Sequence, residues 1–149
     1  MTGPYDDPVM AEIGTAVELG HGGDRAGARS RFDRIREDLG DDGDPFLRCV
    51  LAHYAADVQD DPHAELRWDA EALAAATEVT GNEAVAGFYP SLHLNLADVH
   101  RRLGHDDEAL LHLRRAREHV GVLTDDGYGR MIRNGIERCG ERLGADVRD

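Results

Sequence analysis

The chain has 149 residues with 30 Asp plus Glu against 17 Arg and no Lys, for a formal net charge of -13. A balance this acidic argues against nucleic acid, whose phosphate backbone demands a basic footprint. No apolar run approaches the roughly 20 residues that a membrane-spanning helix needs, so no membrane partner is expected. With 41 % hydrophobic but only 5 % aromatic residues, the core has to come mainly from Leu, Val, Ile and Ala.

Read in chain order, Met1 to Asp7 carries Gly, Pro and two Asp before any periodicity and reads as a loose terminus. From Pro8, Val9, Ile13, Ala16 and Val17 mark one face of a first helix that stops near Gly20 to Gly23. Asp24 is placed to cap a second helix, striped by Ala28, Phe32, Ile35 and Leu39 and stopped by Gly40 to Asp44. Asp44 and Pro45 open a third, with Leu47, Val50, Leu51, Tyr54 and Val58 facing inward. After the Asp60, Asp61, Pro62 turn, a fourth helix over about His63 to Val79 presents Ala64, Trp68, Ala72, Ala75, Ala76 and Val79. Thr80 to Gly87 is the least regular stretch and reads as a loop or one extra helical turn.

Pro90 opens a fifth helix striped by Leu92, Leu96, Val99 and Leu103 and closed by Gly104. Asp106 is expected to cap a sixth, with Ala109, Leu110, Leu113, Ala116 and Val120 on its face. A Thr-Asp-Asp-Gly turn at Thr124 to Gly127 leads to a seventh, with Tyr128, Ile132, Ile136, Cys139 and Leu143 at helical spacing. No segment alternates with period two, so strands are not expected.

One pattern runs through this layout. A small residue closes a helix, a tight acidic or Gly-rich turn follows, and Ala and large apolar residues then recur at helical spacing. The clearest copy spans Ser91 to Val120, with Leu96, Ala97, Gly104, Ala109, Leu113 and Ala116. Ala16, Gly23, Ala28 and Phe32 make a second copy; Leu51, Ala52, Ala64 and Trp68 make a blurred third, in which Gln59 replaces the turn Gly. The arrangement resembles the tetratricopeptide repeat family, whose unit of about 34 residues is a helix hairpin with small side chains where the helices cross. The spacing from Ala28 to Ala64 is 36 residues and from Ala64 to Ala109 is 45, so the second connection is longer than the family's.

The resemblance implies an all-α fold of about seven helices. Its antiparallel hairpins would stack as a short right-handed α-solenoid within a single domain, 1–149. The hairpins would run over about 8–39, 45–79 and 88–121, with a capping helix over about 128–143 and loose ends at 1–7 and 145–149. It also implies a non-enzymatic adaptor or regulatory module that binds a protein or peptide on its concave face. Carried over residue by residue, that face is Ile13 and Val17 in the first hairpin, Cys49, His53 and Asp57 in the second, and Leu94, Asn95, Asp98, Arg101 and Arg102 in the third. Some members clamp a terminal carboxylate. Asn95 matches one Asn of that clamp and Arg133 is positioned to add a cation, but Cys49 and His53 stand at its first-helix positions, so the clamp is incomplete.

Eight histidines make metal chemistry the alternative. His93 and His100 lie seven apart on one helical face, as do His105, His112 and His119, and His93, His100 and Asp98 would be the ligands of a metal-binding protein or metal-dependent enzyme. Zinc ligands, however, usually come at i and i+4 or as short Cys and His pairs, and neither spacing occurs. Buried, hydrogen-bonded histidines are therefore the favoured reading, with no cofactor and no metal. Cys49 and Cys139 lie on or near apolar stripes, where inert thiols are commonest. Neither a G-x-S-x-G elbow nor a phosphate-binding Gly loop is present, and no catalytic residue is expected. Two cysteines and the lack of a signal-like amino terminus favour a reducing cytoplasm. Homo-oligomers are a further expectation. Residues 1–87 hold 7 Arg against 19 acids, whereas residues 88–149 hold 10 Arg against 11. Arg130, Arg133, Arg138 and Arg142 could therefore meet the acidic first hairpin of a second copy.

Overall fold

The computed structural model describes residues 7–79 and 83–148. Among these residues the chain is all-helical, with seven long helices, a one-turn α-helix and a short 3-10 turn, and contains no strand. The helices are α1 (Pro8–His21), α2 (Arg25–Leu39), α3 (Pro45–Asp57), α4 (Pro62–Glu78), the one-turn α5 (Glu83–Ala86), α6 (Tyr89–Arg102), α7 (Asp106–Glu118) and α8 (Gly127–Arg148). The chain divides into two compact units, Met1–Thr80 and Gly81–Asp149, and each is described by itself.

In the first unit, α1 pairs with α2 and α3 with α4, and α3 also packs on α1 and α2. Each of these helices starts on an Asp whose carboxylate accepts a backbone N–H: Asp7 from Val9, Asp24 from Gly27, Asp44 from Leu47 and Asp61 from His63. A cap of this kind stabilises a helix by about 1 kcal/mol. The α1–α2 connection closes on Gly23, at φ +99°, with Gly23 N–H donating to Gly20 O and Asp24 N–H to Leu19 O. Gly104, at φ +79°, closes α6–α7 by the same pair of bonds, to Arg101 O and from His105 N–H to His100 O. An L side chain is strained at such φ values, which is why both copies keep Gly there.

The blurred hairpin solves the same problem without Gly. Gln59 folds its side-chain amide back onto Ala55 O at 2.9 Å, supplying the donor the helix end needs. Helix α2 then holds the turn from outside. Arg25 donates to Gln59 O and Asp60, and Arg29 donates to Val58 O and Asp60.

The first unit's core contains Ile13, Ala16, Ala28, Phe32, Ile35, Leu47, Val50, Leu51, Ala52, Ala72, Ala75 and Ala76, all buried. Tyr54, expected inward, is 39 % exposed, and Ala64, Trp68 and Val79 are only half-buried. The Tyr54 ring lies against His53, with centroids 5.5 Å apart.

In the second unit, α6 and α7 form an antiparallel hairpin and α8 packs against both. Ala97, Ala109, Leu113 and Ala116 make a common core with Leu123, Ile132, Ile136, Cys139 and Leu143. Three details depart from the sequence reading. The residue capping α7 is His105 rather than Asp106, and its side chain makes no cap bond; Asp106, Asp107 and Glu108 occupy the first turn, where the helix dipole favours acids. Leu110 is exposed and Val120 lies in a short 3-10 turn, Val120–Val122, because α7 ends at Glu118. Tyr128 is also exposed; its hydroxyl donates to Ser91 Oγ at 3.2 Å instead of entering the core.

The expected loop or extra turn at Thr80 to Gly87 contains α5, while Thr80 to Asn82 lie outside the described residues. The expected loose carboxyl end is helical through Arg148, with Asp149 outside the described residues. The expected loose amino end falls outside them except for Asp7, which caps α1.

The rotation of α7 can be tested directly. Ala109 is fully buried and Leu111 is 43 % exposed. Ala109→Leu should overpack the hairpin and cost about 1 to 3 kcal/mol in urea denaturation. Leu111→Gln should change stability by no more than about 0.5 kcal/mol. Equal losses would mean that α7 presents a different face.

Candidate functional site

The sequence-predicted concave residues separate into three groups. Ile13 and Cys49 are core residues, 2 % and 0 % exposed, so neither offers a binding surface. The α1 and α3 faces that carry them are covered by neighbouring helices, and the expectation of a contact role for these two is corrected. Arg133 is also engaged structurally: its guanidinium donates to Leu123 O at 2.9 Å and Thr124 O at 3.2 Å, holding the turn before α8 in place of a carboxylate clamp.

Val17 and Asp57 meet at a small cavity of about 220 Å³ in the first unit, with Gly20, His21, Arg25, Tyr54 and Val58. His53 is half-buried near Asp57. Loss of solvation pushes the His53 imidazole down, against the pull of Asp57. The Asp57 carboxyl is pushed up by desolvation, opposed by His53, His21 and Arg25. Its three cationic or titratable neighbours all come from helix ends or the helix that carries it, which makes the cavity a tight electrostatic corner.

Leu94, Asn95 and Asp98 are brought together in the second unit. They form the α6 wall of an open cleft of about 220 Å³, whose α8 wall is Gly135, Arg138, Cys139 and Arg142. The floor is narrow because Gly135 approaches Leu94; a Cβ at Gly135 would lie 2.8 Å from Leu94 Cδ2. Asp98 is held by both predicted arginines of its own helix, Arg101 at 3.1 Å and Arg102 at 3.0 Å. Arg101 Nε is buried and has no hydrogen-bond partner among the described residues. Among the described residues Asp98 is the one acid that lines the cleft, balanced by its own helix, while Arg138 and Arg142 add exposed positive charge from α8.

The histidines assemble in a way that spacing on each helix alone does not reveal. Because α6 and α7 run antiparallel, His93 and His100 interleave with His105, His112 and His119 along the seam. His93 Nδ1 lies 3.1 Å from His112 Nδ1, and His100 Nδ1 lies 3.0 Å from His105 Nδ1. Asp98 is turned to arginines, so His93, His100 and Asp98 do not form one ligand set. Among the described residues no group of three or more His, Cys, Asp or Glu is arranged to hold a metal ion.

No helix among the described residues is long and apolar enough to cross a membrane. No protein-family model, curated protein or solved structure matches the chain.

Neither thiol is placed as a nucleophile. Burial pushes the Cys49 thiol up to about 12. Cys139 is also raised, first by burial and then by Asp98, with Arg101, Arg142 and Arg117 opposing. Thiolate is the reactive form, so both should be inert in the folded protein. Disulfide-exchange labelling at pH 8 should modify them at least about 100-fold more slowly in the native protein than in urea. Rapid native labelling of either would reopen a nucleophilic role.

Proposed function

We propose that this chain is a non-enzymatic binding module built from tetratricopeptide-like hairpins, and that its contact surface is the α6–α8 cleft, taking an extended acidic peptide segment. The observation that carries this reading is the meeting of Leu94, Asn95 and Asp98 with Arg138 and Arg142 across one cleft. Each part has a task. Leu94 offers apolar contact, Asn95 can bond a peptide main chain, and the planar guanidiniums can hold carboxylates by paired N–H donors.

The chain's net charge of -13 does not by itself keep an acidic partner from the cleft. At about 0.15 M salt the Debye length is about 8 Å, so acids elsewhere on the molecule are largely screened and the cleft's own cations decide local attraction. The two walls are helical and preformed, which keeps the ordering cost of binding on the peptide side. The same chemistry would accept an acidic segment from a second copy of the chain, which sedimentation of the protein alone would reveal.

Fluorescence anisotropy with a labelled ten-residue peptide alternating Glu and Leu tests the reading against a matched Lys and Leu peptide. The acidic peptide should bind and the basic one should not. Arg138→Glu with Arg142→Glu should weaken binding at least tenfold, about 1.4 kcal/mol, without changing the urea midpoint, because both side chains are exposed. Equal affinity for the two peptides, or an unaffected double variant, would remove the α6–α8 cleft as the contact surface.

A further inference from the structure

The seam between α6 and α7 holds six rings in one column. In order they are Tyr89, His119, His93, His112, His100 and His105, with successive centroids 5.2, 5.8, 5.3, 5.6 and 5.2 Å apart. His93 is nearly parallel to His119, at 7°, and His100 to His112, at 2°. Rings alternate between the two helices, so every neighbouring contact but the last crosses the hairpin directly, and the last, His100 to His105, crosses its turn.

We propose that this histidine column is an acid-sensitive fastening of the α6–α7 hairpin, which is held when the imidazoles are neutral and loosens when they take up protons. The proposal goes beyond the peptide-binding reading and does not rest on it.

The chemistry follows from the two Nδ1 to Nδ1 bonds. Each needs one nitrogen to donate and the other to offer a lone pair, so each pair tolerates at most one imidazolium. With His119 added, the column can take three protons before a fourth must break a bond that joins the hairpin. Protons also meet repulsion. His112 and His119 act on His93, His100 acts on His112, and His105 acts on His100. From α7, Arg115 adds positive charge against His93 and His112, while Glu108 gives partial relief to His112 and His100. Helix α8 packs on the hairpin with Ile132, Ile136, Cys139 and Leu143, with the Tyr128 hydroxyl on Ser91, and with Gly140 beside the Arg117 guanidinium of α7. Tyr89 ends the column as a neutral ring.

Burial and these neighbours lower His93 to about 4 and also lower His100 and His112. The unfolded chain, with imidazoles near 6.5, therefore binds protons that the folded hairpin refuses. The fastening is complete above pH 6.5 and weakens as pH falls below it. For His93 the loss grows by up to tenfold in the folding equilibrium per pH unit and stops near pH 4, where the folded form protonates too. By pH 5 this histidine alone can account for about 30-fold.

The test uses the full chain in EDTA, so that adventitious metal plays no part. Imidazole nitrogen NMR from pH 8 to 4 should show His93, His100 and His112 titrating below 6.5, with His93 lowest. Hydrogen exchange, corrected for intrinsic rates, should show opening of α6 and α7 increasing at least tenfold from pH 7 to pH 5, while the histidine-free α2 changes less than threefold. In His93→Gln with His112→Gln, the increase should fall below threefold. Should that variant fail to fold, the half-buried, separately paired His100→Gln should still reduce the increase, and the wild-type titration stands by itself. His93, His100 and His112 titrating at 6.5 or above, or an undiminished acid response in a folded variant, would overturn the proposal.

Discussion

The close approach of paired helices is the constraint on which the rest of this structure depends. Ala16 and Ala28 are fully buried where α1 and α2 pair, as are Ala72 and Ala76 on α4, and Ala97, Ala109 and Ala116 in the α6–α7–α8 core. An Ala at a crossing contributes little transfer free energy of its own. What it does is let two backbones draw near enough for Leu, Phe and Ile on either side to interdigitate, and each such side chain is worth roughly 1.5 to 3 kcal/mol when buried. A chain with only 5 % aromatic residues can build a core this way because distance, rather than side-chain bulk, fills the space.

Helix α6 shows what that economy permits. Its core residues Leu92, Leu96, Ala97 and Val99 are buried, which leaves its other faces available for chemistry. One lies toward α7 and carries His93 and His100; another lines the cleft with α8 and carries Leu94, Asn95 and Asp98. Arginine has a parallel division of labour. Arg25, Arg29 and Arg133 support turn carbonyls, Arg36 and Arg48 pair with carboxylates, and Arg138 and Arg142 stand exposed at the cleft. With no Lys in the chain, every one of these tasks falls to a guanidinium, whose several donors suit carbonyls and carboxylates alike.

The helices and their pairing were legible in the sequence because they rest on local signals. An Asp before Pro45, Gly at the turns closed by Gly23 and Gly104, and Ala109, Leu113 and Ala116 at helical spacing each carry their meaning within a few residues. Side-chain exposure at the edge of a stripe was less legible. Leu110 sits one step from Ala109, a rotation of about 100° that hydrophobicity alone does not resolve, and Tyr54 and Tyr128 can satisfy either side of a boundary. The α6 wall of the cleft was readable from residue positions, whereas Arg138 and Arg142 of the opposing wall were visible only as surface cations. Ile13, Cys49 and Arg133 were misplaced because their fate depends on what packs over or beside them. The histidine column needed the antiparallel register of two helices as well as the seven-residue spacing on each.

Amide NMR of the labelled full chain, titrated with the Glu and Leu peptide, tests the central claim most directly because it reports where contact occurs without altering the protein. The account predicts shifts concentrated at Leu94, Asn95 and Asp98 on α6 and at Gly135, Arg138 and Arg142 on α8, the two walls of one cleft. Shifts centred on the Val17 and Asp57 cavity, or a spectrum unchanged at saturating peptide, would contradict it.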